Sequence, residues 1–265
     1  MSSREISSTD EIFIHCSQLS NIMGDCKEGG SLTEKQHEEV LYLTNKVRTA
    51  KQDIRLNELI AKRDFKPEFD LSEGAKSFTR KLVKSMVYGY TPYFTSKETQ
   101  KGTLVEDDSI LLYNSVFGTC HAKNTERKRN EWIDGECDIN AVEFNLVIDI
   151  KSSWSKETFP TLPDEIDVSG YEDQLRGYMM LYDLDRAELA FCLVNTPYHL
   201  LKYEANVQLH YVDDVEKELR VTSLFFNRCL DYEEKIKHKV SEVRKYAKWY
   251  ENKLIEKYEK NCHAV

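Results

Sequence analysis

The stretch Leu146-Val147-Ile148-Asp149-Ile150-Lys151 decides the fold expected of this chain. It is an apolar run interrupted by one acid, which is typical of a strand that is covered on both faces and carries its acid where the sheet opens. Side chains two residues apart in a strand point the same way. The run therefore predicts a buried strand on which Asp149 and Lys151 lie side by side.

A second acid precedes this strand at hairpin distance. Asp138 closes the segment Gly135-Glu136-Cys137-Asp138, within a strand predicted from Trp132 to Ile139. The next strand is predicted from Phe144 to Ile150, with a turn near Glu143 to Asn145 between them. The pattern thus indicates two neighbouring strands that each carry a carboxylate.

A loop, a helix and a further strand follow along the chain. The segment from Pro160 to Gly170 is predicted to be a loop, and a helix is predicted from Tyr171 to Leu184. Gln174 and Tyr178 lie four residues apart, on one face of that helix. Ala187 to Val194 is predicted to be a buried strand. The order strand, helix, strand predicts an α/β fold with a central mixed sheet flanked by helices.

The remaining elements are predicted to be helices. One runs from Ser31 to Thr49 with Ser31 or Thr33 as its N-cap, a second from Ser72 to Tyr88, and a third from Gly102 to Tyr113. A long amphipathic helix is predicted from Asp231 to Lys260. Its apolar stripe could pack on the core or on another subunit, and it consists of Ile236, Val240, Val243, Ala247, Tyr250, Leu254 and Tyr258.

Length and composition indicate a single globular domain. The 265 residues predict one domain with a helical N-terminal part over 1–70 and a C-terminal helix over 228–262. No apolar run approaches the roughly 18 residues of a membrane span, and no hydrophobic run follows Met1. Seven cysteines without a Cys-x-x-Cys pair are typical of a reducing compartment. We therefore expect a cytoplasmic protein, in the host cytoplasm if a phage encodes it.

A net charge of −9 argues at first against a polyanionic partner. Net charge is a poor guide where basic groups are clustered, as they are from Lys76 to Lys84 and from Lys123 to Arg129. Uncompensated carboxylates that bind metal ions also lower the count. The net charge therefore does not exclude nucleic acid as a partner.

The chemistry that fits these residues is metal-assisted hydrolysis of a phosphodiester. Two Mg²⁺ ions about 4 Å apart can activate a water and stabilise the leaving oxygen. Mg²⁺ takes hard oxygen ligands, which Asp138, Asp149 and the backbone carbonyl of Ile150 would supply. Lys151 would then lie beside the attacking water and the scissile phosphate.

An Asp-x-Lys triplet alone has a simpler explanation, a solvated ion pair at a strand end. Three features favour the catalytic interpretation: the strongly apolar strand around the triplet, the second acid at hairpin distance, and the shared helical face of Gln174 and Tyr178.

Taken together, these segments resemble the PD-(D/E)XK nuclease superfamily, and within it the phage-type exonucleases that include lambda exonuclease and the YqaJ-like viral recombinases. The resemblance covers roughly 16 to 197. Its order and spacing are specific, whereas each single piece is not. The pieces are Cys16-Ser17-Gln18-Leu19-Ser20, Lys101-Gly102-Thr103-Leu104-Val105-Glu106, Gly135 to Asp138, Asp149-Ile150-Lys151-Ser152 and Gln174-Leu175-Arg176-Gly177-Tyr178.

The resemblance implies a role for each core residue. Glu106 matches the helix-borne acid that helps to hold a metal, although Asp107 and Asp108 are alternatives. Asp138 matches the central metal ligand. The acid of the (D/E)XK element is Asp149, where many relatives have Glu, and its catalytic lysine is Lys151.

The glutamine of the family motif, which orients the lysine or a water, corresponds to Gln174. Tyr178 matches the aromatic residue that follows, and it could equally be a helix residue packed on the sheet. Ser17 and Ser20 would lie near a 5′-phosphate pocket or act as helix caps. Lys123 and Arg127 would contact the DNA backbone or belong to a solvated loop.

The resemblance also implies an activity and partners. It implies a Mg²⁺-dependent exonuclease, with Mn²⁺ as a substitute, that degrades linear double-stranded DNA 5′ to 3′ to leave single strands for recombination. A homotrimer and a single-strand annealing partner are implied as well. We expect no iron–sulfur cluster, because the late cysteines Cys229 and Cys262 are too few and too far apart. The alternatives are an endonuclease of restriction or repair type and an inactive DNA-binding module.

Overall fold

The computed structural model describes residues 12–27, 32–92 and 95–262. They form two compact units. The helical unit consists of Asn21–Val87 and the chain from Ser241 onward, and the sheet unit consists of Ile12–Ser20 and Tyr88–Val240. The single-domain interpretation stays a prediction.

The described residues contain α-helices and β-strands in the mixed order that the sequence predicts. The strands are β1 (Ile14–His15), β2 (Lys128–Arg129), β3 (Ile133–Gly135), β4 (Ile139–Ala141), β5 (Leu146–Ser152), β6 (Arg186–Cys192) and β7 (Val221–Asn227). The helices are α1 (Glu34–Thr44), α2 (Ala50–Asp64), α3 (Glu73–Tyr88), α4 (Lys97–Leu104), α5 (Glu106–Phe117), α6 (Tyr171–Tyr182) and α7 (Leu230–Cys262).

The central sheet of the sheet unit has the order β4-β5-β6-β7. β5 and β6 are parallel, and the two outer pairs are antiparallel. This confirms the expected α/β fold with a mixed sheet. The edge strand β7 was not predicted; its burial alternates only weakly, and its buried position is occupied by the polar residue Thr222.

Both faces of β5 are covered, as its apolar sequence predicts. All five residues Leu146–Ile150 are buried. On one face α5 packs against the sheet through a cluster that includes Ile110, Ile148 and Ile150. Helix α6 also packs against β5 and β6 and buries Leu175 and Met179. A strand covered in this way can hold Asp149 away from solvent.

The strand predicted over Trp132 to Ile139 is in fact two strands, β3 and β4, in two different sheets. The reason lies at Asp138. The β4–β5 ladder stops at the pair Ile139–Ile148, and the Ile150 amide donates to the Asp138 carboxylate at 2.6 Å. The Asp138 carbonyl accepts instead from the Asn124 amide at 2.7 Å. The break in the strand therefore turns Asp138 toward β5.

The helix predicted from Gly102 to Tyr113 is also two helices, α4 and α5. The Val105 amide donates to the Lys101 carbonyl and closes α4, while the Val105 carbonyl accepts from Ser109 and begins α5. The junction places Glu106 in the first turn of α5. The sequence does not mark this junction, because Val105 has no side chain that could cap a helix.

The described part of the helical unit contains one more helix than predicted. Helix α1 ends at Thr44, so the predicted helix to Thr49 is too long, and Thr49 instead caps α2. Thr33 caps α1 as predicted, whereas Ser31 lies outside the described residues. Thr33 and Thr49 each form a capping box with the glutamine three residues later, which satisfies amide donors at both helix starts.

The C-terminal helix α7 is present as predicted, and the first part of its stripe is buried. Ile236, Val240, Val243 and Ala247 have no exposed surface, whereas 70% of Tyr258 is exposed. None of the helices in the described part of the chain is long and apolar enough to cross a membrane.

Candidate active site

A pocket of about 430 Å³ lies where α4 and α5 meet β5 and β6. The structure brings four of the predicted site residues to it: Glu106, Asp138, Ile150 and Lys151. The remaining lining comes from Glu98, Thr99, Gly102, Thr103, Ser152, Tyr171 and Phe191. Residues from three predicted motifs therefore meet at one place.

Asp149 lies beneath this pocket and is 1% exposed. Its Oδ2 is 2.5 Å from the Lys151 Nζ, so the two side chains form a close ion pair on one face of β5. Its Oδ1 accepts from the Gln174 Nε2 at 3.3 Å, and the same nitrogen lies 2.8 Å from the Tyr178 hydroxyl. Gln174 thus contacts the acid of the Asp-x-Lys element, and Tyr178 contacts Gln174.

The ionised form of Asp138 is disfavoured in the folded protein. Burial and the nearby charge of Asp149 raise the pKa of Asp138 to about 7. Burial also disfavours the Lys151 ammonium, but Asp149 and Asp138 outweigh it and hold the pKa of Lys151 above its ordinary value. The pocket therefore concentrates negative charge that a cation would relieve.

Glu106 lines the pocket at the first turn of α5 and forms an ion pair of 2.8 Å with Lys123. Asp107 is 83% exposed in its side chain, and neither it nor Asp108 lines the pocket. The geometry therefore favours Glu106 among the three neighbouring acids. Lys123 contacts this acid, which places its ammonium at the rim of the pocket.

Among the described residues, no group of three or more His, Cys, Asp or Glu side chains is arranged as a ready metal site. Instead, Lys123 neutralises Glu106 and Lys151 neutralises Asp149. The donor set nevertheless fits a divalent cation, because it consists of hard carboxylate oxygens. Glu106, Asp138 and Asp149 are thus the residues that could hold a metal ion.

Sequence reasoning missed the role of Lys101, which is fully buried. Its Nζ donates to the backbone carbonyls of Ser153, Trp154 and Val194 at 2.6, 3.1 and 2.9 Å. Burial lowers its pKa to about 8. Lys101 thereby ties α4 to the chain that leaves β5 and β6. A lysine in a helix gives no sequence signal of such a role, because most lysines are exposed.

The glycine of the Gln174–Tyr178 motif is required by close packing. A Cβ on Gly177 would lie 2.6 Å from the Leu19 Cδ1 and 2.9 Å from the Cys16 Sγ. The 3₁₀ segment Cys16–Asn21 can therefore pack directly against α6. Ser17 and Ser20 are exposed on this segment, and Ser20 lies near Gly170, which precedes α6.

Arg127 has a partner within the protein. It donates to the buried Asp134 at 3.0 Å, and His15 contacts the same carboxylate. Arg129 lies 3.9 Å from it and stacks over the Phe13 ring. The Asp134 carboxylate therefore holds the basic side chains together at the small sheet β1-β3-β2. Contact of Arg127 with DNA stays a prediction.

Replacing Asp138 with asparagine should stabilise the metal-free protein at alkaline pH. A carboxyl with a raised pKa in the folded state binds its proton more tightly there than in the unfolded chain, so the wild type loses stability as pH rises through about 7. The variant lacks this titration. In EDTA, its melting temperature should exceed that of the wild type at pH 8, and the difference should shrink toward pH 5. A wild type that melts higher at pH 8 would contradict this.

Comparison with known proteins adds a further observation. No family model matches the chain, and no curated protein matches it. A solved structure of a phage-related exonuclease from Haemophilus somnus 129PT is 29% identical, with a TM-score of 0.72 over 92% of this chain and 96% of that one. An alkaline exonuclease from Laribacter hongkongensis is 12% identical, with a TM-score of 0.46 over 87% and 94%.

The similarity to the Haemophilus somnus protein extends over nearly the whole of both chains. In fold, the chain is similar to a phage-related exonuclease, which is consistent with a phage-type exonuclease of the PD-(D/E)XK nuclease superfamily.

Proposed function

We propose that this nuclease is a Mg²⁺-dependent exodeoxyribonuclease that degrades linear double-stranded DNA. The observation that carries the proposal is the meeting of Glu106, Asp138 and Lys151 at one pocket, directly above the buried Asp149. Three acids and a lysine in such a place fit phosphodiester hydrolysis better than a structural role. The fold shared with a phage-related exonuclease supports the same conclusion.

Each side chain has a proposed task. Glu106, Asp138, Asp149 and the Ile150 carbonyl would hold Mg²⁺, which supplies Lewis-acid activation of water and phosphate when bound. The Lys151 ammonium would orient the attacking water and neutralise charge that builds on the phosphate. Gln174 would fix the carboxylate of Asp149 through the hydrogen bond described above. Tyr178 would hold Gln174 in turn.

The polarity and purpose of the reaction are part of the proposal. Digestion from 5′ to 3′ would leave 3′ single strands, which a single-strand annealing protein could use in phage-type recombination in the cytoplasm. Ser17 and Ser20 would contact the 5′ end, and Lys123 and Arg127 the DNA backbone. Duplexes labelled at one end, with a 5′ phosphate, a 5′ hydroxyl or a closed hairpin, would report both the polarity and the end requirement.

The activity itself is tested by comparing linear with covalently closed circular DNA. With Mg²⁺ or Mn²⁺ we expect the linear duplex to be degraded and the circle to survive, and EDTA should stop the reaction. Nicking or linearisation of the circle would indicate an endonuclease instead. Binding of either DNA without any cleavage would indicate an inactive binding module.

We also propose that the protein assembles as a homotrimer around its DNA. The outer end of α7 offers exposed apolar surface for such an assembly, since Ile255 is 37% and Tyr258 is 70% exposed. Light scattering should then give three times the chain mass of 31.0 kDa, with long uninterrupted digestion of each duplex. A single-chain mass at micromolar concentration, together with distributive digestion, would contradict a ring.

A further inference from the structure

A second pocket, of about 620 Å³, adjoins the candidate catalytic pocket within the sheet unit. The two pockets share Tyr171 and Phe191 as a common wall. The rings of these residues meet edge to face at 6.0 Å. The rest of the lining comes from the loop after β5: Lys156, Glu157, Thr158, Phe159, Pro160, Thr161, Glu165, Ile166 and Asp167.

The sheet places this wall in register with the proposed catalytic lysine. Phe191 on β6 pairs with Lys151 on β5 and with Thr222 on β7, so the three side chains form one row across the sheet. The row spans roughly 10 Å, two strand spacings. The Lys151 Nζ lies 5.5 Å from the centre of the Tyr171 ring. A group bound in the second pocket would thus be separated from a phosphate in the first pocket only by this aromatic wall.

The charge of the second pocket favours a neutral, flat ligand group. Its loop contributes Glu157, Glu165 and Asp167 against one lysine, Lys156, which is itself paired with Asp214 at 2.8 Å. A second phosphate would be repelled there. A nucleobase, in contrast, can stack on an aromatic side chain, and its amino groups can donate to carboxylates. The volume is also within the range of small-ligand sites.

We propose that this second pocket binds the nucleobase of the nucleotide whose 5′-phosphate is attacked, with Tyr171 and Phe191 as its stacking wall. The proposal rests on the proposed function, because it takes the first pocket as the phosphate site. Both aromatic residues are half-buried and line the second pocket, so a ligand there can reach part of each ring. They would act as substrate-positioning residues, since they hold the base while the phosphate reacts in the first pocket.

The test compares two ligands that share the sugar phosphate and differ in the base. Calorimetry with Ca²⁺ present would measure the affinities of deoxyadenosine 5′-monophosphate and of 2-deoxyribose 5-phosphate. For the wild type we expect the nucleotide to bind at least about fivefold more tightly. In Phe191→Leu and in Tyr171→Leu this preference should fall to within about twofold. Because both residues also line the first pocket, the affinity for the sugar phosphate is the reference, and it should change less than the affinity for the nucleotide.

Phe225→Leu is the matched control, since Phe225 lies on the same sheet, at the β7 position opposite Glu188 and outside both pockets. It should keep the wild-type preference, and thermal melting would show that each variant is folded. Equal or undetectable binding of the two ligands to the wild type would overturn the proposal, and this comparison needs no variant. An unchanged preference in both pocket variants would also overturn it. A clear base preference in a protein that cuts no DNA would support the pocket and overturn the proposed function.

Discussion

Replacing Lys151 with alanine should lower the rate of DNA cleavage by about three orders of magnitude. The ammonium lies at the pocket, 2.5 Å from Asp149, where it can act on charge that develops only in the transition state. Binding of DNA should be nearly unchanged, because contacts with the phosphate backbone supply most of the ground-state affinity. Single-turnover digestion and DNA binding in Ca²⁺ would measure the two effects separately.

The same substitution removes the cation beside a buried carboxylate. An unpaired buried charge is destabilising, so thermal melting in the presence of Mg²⁺ should accompany the kinetics. Lys202→Ala, which removes an exposed lysine outside the pocket, provides the control and should cleave like the wild type. Cleavage by folded Lys151→Ala within about tenfold of the wild-type rate would exclude Lys151 from the mechanism, given the size of effect expected of a catalytic group.

Replacing Asp138 with asparagine should abolish both metal binding and cleavage. The amide keeps the shape of the side chain, but it removes the charge that draws Mg²⁺ out of water. Together with the stabilisation expected in EDTA, this predicts a variant that is folded and yet inactive. Calorimetry with Mn²⁺ and Ca²⁺ would measure binding, and Ca²⁺ should bind the wild type without supporting turnover.

Asp107→Asn is a matched control for this experiment. It removes one carboxylate from the first turn of α5, but that carboxylate is exposed and outside the pocket. Its metal affinity should therefore match that of the wild type. Wild-type affinity in Asp138→Asn would remove Asp138 from the site, and a loss of affinity in Asp107→Asn would move the helix-borne ligand from Glu106 to Asp107.

Much of the core of the fold could be predicted from local patterns. The apolar run around Asp149 predicted a strand buried on both faces, and β5 is one. The helix carrying Gln174 and the strand from Ala187 were predicted within two residues of their observed bounds. A continuous apolar run and a helical period are formed by residues that are close in sequence. A single sequence therefore predicts such elements well.

The errors lie where a side chain or a junction overrides the local pattern. The chain breaks between β3 and β4 because the carboxylate of Asp138 takes a backbone amide of β5. The break between α4 and α5 falls at Val105, which has no capping side chain to mark it in the sequence. The first break depends on Ile150, which is 12 residues away in sequence, and both breaks set the direction of a proposed metal ligand.

The sequence by itself determined the types of residue and their order, and with them the resemblance to a nuclease superfamily and the expected chemistry. Its periodicity also put Asp149 and Lys151 on one face of a strand, because alternation is a local property of an extended chain. Only the tertiary structure decided that Glu106, and not Asp107, lines the pocket, that Gln174 contacts Asp149, and that Phe191 lies in register with Lys151. These facts depend on the pairing of strands and the packing of helices across long stretches of chain, which no local pattern encodes.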